Sequence, residues 1–188
     1  GMVKIMQNLP AKSYWDWLNK LGINENLETD LFESTAGHLK SKDIFVSQSI
    51  EPAVASFGKG FSISPLKLAQ LHAVLANGGT EVIPHVTLNF KDHLENNSKE
   101  EIFSDEVSRI VLEWMESVVN KGSGFGARIE GYRIGGKTGT SQKAINGRYT
   151  SKKVCSFIAT FPINKPRYVV LVVIDEPSKA FAYGSTVA

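Results

Sequence analysis

A single cysteine, Cys155, stands among 188 residues, so no internal disulfide can form and the redox compartment stays open. It lies in the strand-like run Val154 to Phe161, where a buried structural thiol is expected and a reactive one is not. Long hydrophobic runs are missing as well. The longest, Tyr168 to Ile174, falls far short of the roughly 20 apolar residues of a membrane helix, and no signal-peptide pattern opens the chain. Charge of one sign is not concentrated anywhere: the net charge is +2 and the basic residues are scattered, which excludes a nucleic-acid face. His38, His72, His85 and His93 lack ligand spacing, so no metal site is expected. Glu25, Glu28, Asp30 and Glu33 lack the glycine-turned spacing of a calcium loop and read as a solvated acidic loop. Repeats and low-complexity tracts are absent, and no cofactor is implied.

What is present is an ordinary globular composition, 42% hydrophobic and 21% charged, at a length that suits one domain or a large part of one. The chain opens inside a helical pattern and ends abruptly at Val187-Ala188, so it is expected to be a piece of something longer.

Helical periodicity marks four stretches. Residues 2 to 9 place Met2, Ile5, Met6 and Leu9 on one face before Pro10. Residues 11 to 21 turn Tyr14, Trp17, Leu18 and Leu21 inward and stop at Gly22. Ser64 as N-cap, Pro65 at the first helical position and Asn77-Gly78-Gly79 as terminator bound a helix that is apolar nearly all round and is expected to be buried. Residues 104 to 120 carry the stripe Val107, Ile110, Val111, Trp114, Met115, Val118 and Val119, with Asp105 and Glu106 suited to the N-terminal dipole. Trp15, Trp17 and Trp114 are expected as core or interface aromatics. The polar stretch 91 to 103 reads as an exposed insertion.

Beyond that helix the period changes. Tyr132 to Thr140, Lys153 to Phe161 and Arg167 to Ile174 read as strands. The connector Pro162 to Pro166 is too short for a parallel crossover, and residues 141 to 152, read as a loop, have no apolar stripe for a crossover helix. The prediction is an α+β fold, an antiparallel sheet flanked by helices and incomplete in this chain. Residues 1 to 130 would be mostly helical and 131 to 188 would supply the strands.

Gly131-Tyr132-Arg133-Ile134-Gly135-Gly136-Lys137-Thr138 matches the phosphate-loop pattern G-x-x-x-x-G-K-[ST], and Asp175-Glu176 ends a strand as a metal-binding acid pair would. The surroundings argue against a nucleotide hydrolase. A glycine-rich loop, Gly122 to Glu130, stands before Gly131 where a buried strand is needed, its glycines at 122, 124 and 126 shaping the lead into the Lys137 strand, and Gly139-Thr140-Ser141-Gln142 makes a poor helix start after Thr138. The strand lies inside the motif. Read as a strand, Lys137 offers a fixed charge, Thr138 and Thr140 offer hydroxyls to a carboxylate, and Gly139 leaves room for a substrate backbone.

Lys-Thr-Gly stands beside S-x-x-K and S-D-N in the signature of serine β-lactamases and penicillin-binding proteins. The flanks strengthen this. Residues 131 to 142 resemble the penicillin-binding protein block "GY-x-(A/G)GKTGT-(A/S)Q", and Phe57 to Ala69 resemble the "GQG-x-x-x-TPLQLA" helix of its class B, monofunctional branch. Ala76-Asn77-Gly78-Gly79 matches "ANGG", and Glu33 to Leu39 resemble "GE-x-x-G-x-L". Asp175-Glu176-Pro177 with Tyr183-Gly184-Ser185 and Val187-Ala188 resembles the ending "DEP…YGG-x-VA". In this order the matches cover most of the chain, and the division-type transpeptidases are the most similar.

The resemblance implies a D,D-transpeptidase that cross-links peptidoglycan stem peptides ending in D-Ala-D-Ala, is acylated by β-lactams, and is membrane-anchored with its catalytic domain on the outer side, working with cell-wall synthesis and division proteins. Lys137 and the Thr140 amide (an oxyanion donor) would be catalytic, and Lys137, Thr138, Gly139 and Thr140 would hold substrate. The serine nucleophile is not found. Ser64-Pro65-Leu66-Lys67 and Ser56-Phe57-Gly58-Lys59 fit S-x-x-K, but Ser64 is needed as a helix cap and Ser56 precedes a glycine-flanked turn; S-x-N does not occur. The chain alone is therefore expected to be inactive, and to dimerise or need the missing N-terminal half. A penicillin-recognising sensor module, a serine β-lactamase and, last, a phosphate-loop hydrolase are the rival readings.

Overall fold

The computed structural model describes residues 1–30, 34–88, 100–145, 148–178 and 182–188. Two compact units divide the chain: Gly1–Leu68 with Ile83–Ser98, and Ala69–Val82 with Lys99–Ala188.

The first unit is helical: α1 Met2–Met6, α2 Ala11–Lys20, α3 Lys42–Ser47, α4 Ile50–Ala55 and the opening turn of α5 Pro65–Ala76. Its core gathers Leu18, Ile23, Leu39, Phe45 and Ala55, with Tyr14, Trp15, Leu21, Phe61 and Ile63 packed against them. Tyr14, Leu18 and Leu21 thus face inward as expected, and Trp15 takes the place expected for Trp17. Trp15 packs inward and donates its Nε1–H to the Lys40 carbonyl at 2.9 Å, while Trp17 stays 46% exposed beneath the Lys20 ammonium. The indole at 15 wins because it finds both apolar neighbours and an acceptor. The expected α1 face remains largely outside, with Met2, Ile5 and Leu9 exposed.

Helices α3 and α4, not anticipated from periodicity, are six residues each and too short to show a period. They place Glu51 where only 7% of its side chain is exposed, and Lys40 neutralises it. The acidic loop is also less solvated than expected, since Leu27 is buried within it. Asp30 accepts the Val86 and Thr87 amides at 2.9 and 2.6 Å. A Thr87 side-chain hydrogen bond first, then these amides, hold its carboxyl down at about 2. Glu33 lies outside the described residues.

The second unit contains the rest of α5, α6 Asp105–Lys121, a 3₁₀ turn at Phe125–Ala127, strands β1 Gly135–Ile145, β2 Arg148–Phe161 and β3 Tyr168–Asp175, and α7 Gly184–Val187. Helix α5 is half-buried along most of its length, with Gln70 and Val74 buried, not covered all round as expected. Ser64 does cap it, its Oγ accepting the Lys67 amide at 3.1 Å. The turn at Gly79, φ +90°, lies where a Cβ would stand 1.9 Å from the Phe103 carbonyl, so only glycine fits. That approach lets Thr80 pair with Glu101, and residues 100 to 103 are tied to the α5 terminus rather than standing out as an insertion. Residues 91 to 99 of that expected insertion lie outside the described residues.

The sheet order is β1-β2-β3, antiparallel throughout, as the short connectors required. The stretch expected as a loop from 141 to 152 is instead the end of a hairpin. After a bulge between Gln142 and Ala144, β1 still pairs with β2 through Ala144↔Tyr149. Ser141, Gln142, Tyr149 and Ser151 are all exposed, so this ribbon is polar on both faces and carries no hydrophobic alternation to reveal it. Cross-strand backbone pairing sustains it.

Helix α6 covers the sheet through Leu112, Met115 and Val119, joined by Ile134, Phe157, Ala159 and Ile163. Ser104 caps it by accepting the Val107 amide at 3.2 Å. The sequence stripe was broader than the face used: Ser108 is buried, while Val107, Ile110 and Trp114 are exposed, Trp114 by 67%. Cys155 is fully buried on β2, as expected.

Candidate functional site

Lys137, Thr138, Gly139 and Thr140 all lie on β1, whose only strand partner among the described residues is β2. A strand with one paired edge leaves a row of backbone groups able to bind an extended peptide. Alternation along the strand sets Thr138 and Thr140 on one side and Lys137 on the other. The Lys137 ammonium is exposed and donates to the Thr138 carbonyl at 2.8 Å. Thr138 shares a hydrogen bond with Ser123 at 3.0 Å between hydroxyl oxygens. Thr140 Oγ1 accepts the Gly184 amide at 3.0 Å. A hydroxyl that accepts one bond still has its proton to donate, so Thr140 can serve an anion while held in place.

For Gly139 the structure supplies a reason not expected from sequence. A Cβ there would stand 2.3 Å from Ser156 Oγ on the paired strand. Over the same spot comes the start of α7: a Cβ on Gly184 would lie 2.4 Å from the carbonyl oxygens of both Gly139 and Ser156. The pair of glycines lets α7 sit on the backbone of β1 and β2.

Around this strand run two electrostatic braces. Arg133, just before β1, grips Glu116 of α6 with both prongs, Nε to Oε1 at 2.8 Å and Nη2 to Oε2 at 2.6 Å. The Arg133 hydrogen bonds, with its charge, hold the Glu116 carboxyl below its ordinary 4.5 against the opposing effect of burial. A carboxylate so depressed stabilises the fold above about pH 4.5, and that stabilisation is lost as pH falls through the folded-state value. Thermal unfolding followed from about pH 6 to about pH 3 should therefore show a steeper decline for the native chain than for Glu116→Gln; parallel curves would remove the pair from the acid response.

The second brace joins the hairpin end to β3. Lys143 binds Asp175 at 2.7 Å and Glu176 at 2.9 Å, and Lys152 binds Glu176 at 2.9 Å. Glu176 adopts a left-handed φ of +48° while its amide donates to the Lys153 carbonyl. The Lys152 and then the Lys143 hydrogen bond hold its carboxyl low. The acid pair that ends β3 is thus engaged by lysines.

The phosphate-loop reading fails on geometry. Gly135 to Thr138 are strand, and the chain runs on as strand to Ile145, so no helix N-terminus follows Lys137. Neither S-x-x-K string offers a nucleophile. Ser64 caps α5, and Ser56 ends α4 with its hydroxyl donating to the Ala53 carbonyl at 2.7 Å. The glycine-rich loop 122 to 130, read from sequence only as a shaping element, also carries Ser123 to the side chain of Thr138; no local sequence signal points to that serine.

A helix-backed antiparallel sheet with Lys-Thr-Gly-Thr on its outer strand is the arrangement of the penicillin-binding protein fold. The family description "Penicillin binding protein transpeptidase domain" matches residues 1–188, and the chain belongs to that family. It is 44% identical to the peptidoglycan D,D-transpeptidase FtsI homolog of Mesostigma viride, covering 100% of this chain and 35% of the relative. It is 30% identical to stage V sporulation protein D of Bacillus subtilis, covering 100% of this chain and 30% of the relative. The chain thus spans about a third of the length of these relatives. Among solved structures it resembles the apo transpeptidase domain of Burkholderia pseudomallei penicillin-binding protein 3, with TM-score 0.86 and 29% identity, over 100% of this chain and 56% of that one. It shares the fold of Mycobacterium tuberculosis penicillin-binding protein 3 complexed with aztreonam, with TM-score 0.81 and 23% identity, over 95% of this chain and 43% of that one. No helix among the described residues is long and apolar enough to cross a membrane.

Proposed function

We propose that this chain is the carboxylate-binding part of a class B peptidoglycan D,D-transpeptidase, acting on stem peptides that end in D-Ala-D-Ala and acylated by β-lactams. The observation that carries the reading is the open strand β1 with Lys137, Thr138 and Thr140 displayed along it. An incoming peptide lies along this edge. Its terminal carboxylate takes hydrogen bonds from the Thr138 and Thr140 hydroxyls and the field of Lys137. The Thr140 amide donates to the oxygen that becomes negative when the scissile carbonyl is attacked, a contribution of roughly 3 kcal/mol per donor. Gly139 serves by keeping the strand and α7 in close contact.

The serine that attacks is supplied by sequence other than these residues, since Ser56 and Ser64 are engaged elsewhere. The intact enzyme would be membrane-anchored, with this domain on the outer face, in company with other wall-synthesis proteins. The test is to incubate the full-length protein with a fluorescent penicillin, followed by denaturing electrophoresis. A covalently labelled band, lost on competition with a D-Ala-D-Ala peptide, is the expected result. No label at saturating penicillin would overturn the proposal.

A further inference from the structure

Ser123 stands in the glycine-rich turn between α6 and β1, and nothing in the proposed reaction uses it. Its position is nonetheless tightly set. The amides on either side of it, Gly122 and Gly124, both donate to the Val118 carbonyl, at 3.0 and 3.1 Å. On its far side the turn rests against Val119 and Phe157, which a Cβ at Gly124 would meet at 3.3 and 3.4 Å. Val119 and Phe157 belong to the core beneath β1. The residue is therefore clamped to the rigid end of α6, and from there its hydroxyl reaches Thr138 Oγ1 at 3.0 Å.

Either hydroxyl can be the donor when the two are alone. An anion at the strand removes that ambiguity. A carboxylate accepts only, so Thr138 must turn its proton to the ligand and Ser123 must give its own to Thr138. The two hydroxyls then form a directed chain in which each bond polarises the next. A neutral ester in place of the carboxylate is a weaker acceptor and gains far less from that orientation.

We infer that Ser123 is a positioning residue, which orients the Thr138 hydroxyl toward the anionic group of the ligand and so favours free acids over their neutral esters. The inference rests on the reading of β1 as the carboxylate-binding strand. It also gives the turn a purpose beyond connecting α6 to the strand.

The experiment uses the full-length protein and the second-order acylation rate constants for a penicillin and for its methyl ester. Ser123→Ala should lower the rate with the acid on the order of tenfold, while the ester rate changes by no more than about twofold. Ser123→Thr, which keeps the hydroxyl, should restore the acid rate. In a Thr138→Val background Ser123→Ala should cost nothing further, because its effect passes through Thr138. Equal losses for acid and ester, or a loss that adds to that of Thr138→Val, would overturn the inference. Should Thr138→Val depress the acid rate selectively while Ser123→Ala does not, the strand reading stands and Ser123 alone is refuted. Should Thr138→Val leave the acid-to-ester ratio untouched, the strand reading falls and takes this inference with it.

Discussion

Replacing Lys137 with alanine in the full-length protein should slow acylation by a β-lactam roughly 100- to 1,000-fold, the range seen when one preorganised donor is removed from a developing charge. The ammonium is exposed on the strand, close to the Thr138 carbonyl, so the substitution leaves no buried partner uncompensated. Melting should therefore stay near that of the native protein while the acylation rate collapses. Stopped-flow acylation with a chromogenic cephalosporin and a melting curve on the same sample separate the two effects. A variant acylated at the native rate would end the assignment of Lys137 to the site. One that lost its fold would show that the lysine is structural.

Gly184→Val should fail in the opposite manner, through packing. A Cβ at 184 would stand 2.4 Å from two backbone carbonyl oxygens and 3.0 Å from the Gly139 nitrogen. Backbone in a paired sheet cannot give way as a side-chain tip can, so α7 must lift. Forcing such bulk into a packed position costs about 3 kcal/mol, which lowers the melting temperature by about 6–12 °C for a domain of this size. As α7 lifts, Thr140 loses the Gly184 amide, and acylation should fall with stability. Unchanged melting would show that the helix start is loosely seated. The same geometry bears on Gly139→Val. A side chain there meets Ser156 first, so it should disturb the joint between the strands and α7 as well as acylation.

How much could be read in advance differs from element to element. The helix cap at Ser64 was legible, because capping depends on residues three apart in sequence and the bond formed as local chemistry requires. The strands through Lys137, Phe157 and Val172 were legible in the same way from β-branched and aromatic runs. The short α3 and α4 were not, since six residues cannot display a period. Nor was the hairpin end, whose polar faces carry no alternation.

Side chains that answer to distant neighbours were the least accessible. Trp15 and Trp17 are both aromatic and two residues apart, and only the Lys40 carbonyl and the Leu18 cluster decide which turns inward. On α6 the apolar stripe was wider than the sheet it covers, so sequence could not tell that Leu112 would be buried and Trp114 left out. Sequence alone therefore determined the class of domain, the antiparallel order of its strands and the Lys-Thr-Gly-Thr strand. These follow from short-range pattern and from connector lengths that forbid a parallel crossover. Tertiary structure alone decided why residue 184 must be glycine and which serine stands beside Thr138. Those depend on backbone segments 45 and 15 residues apart meeting within hydrogen-bonding or van der Waals distance, which no local pattern encodes.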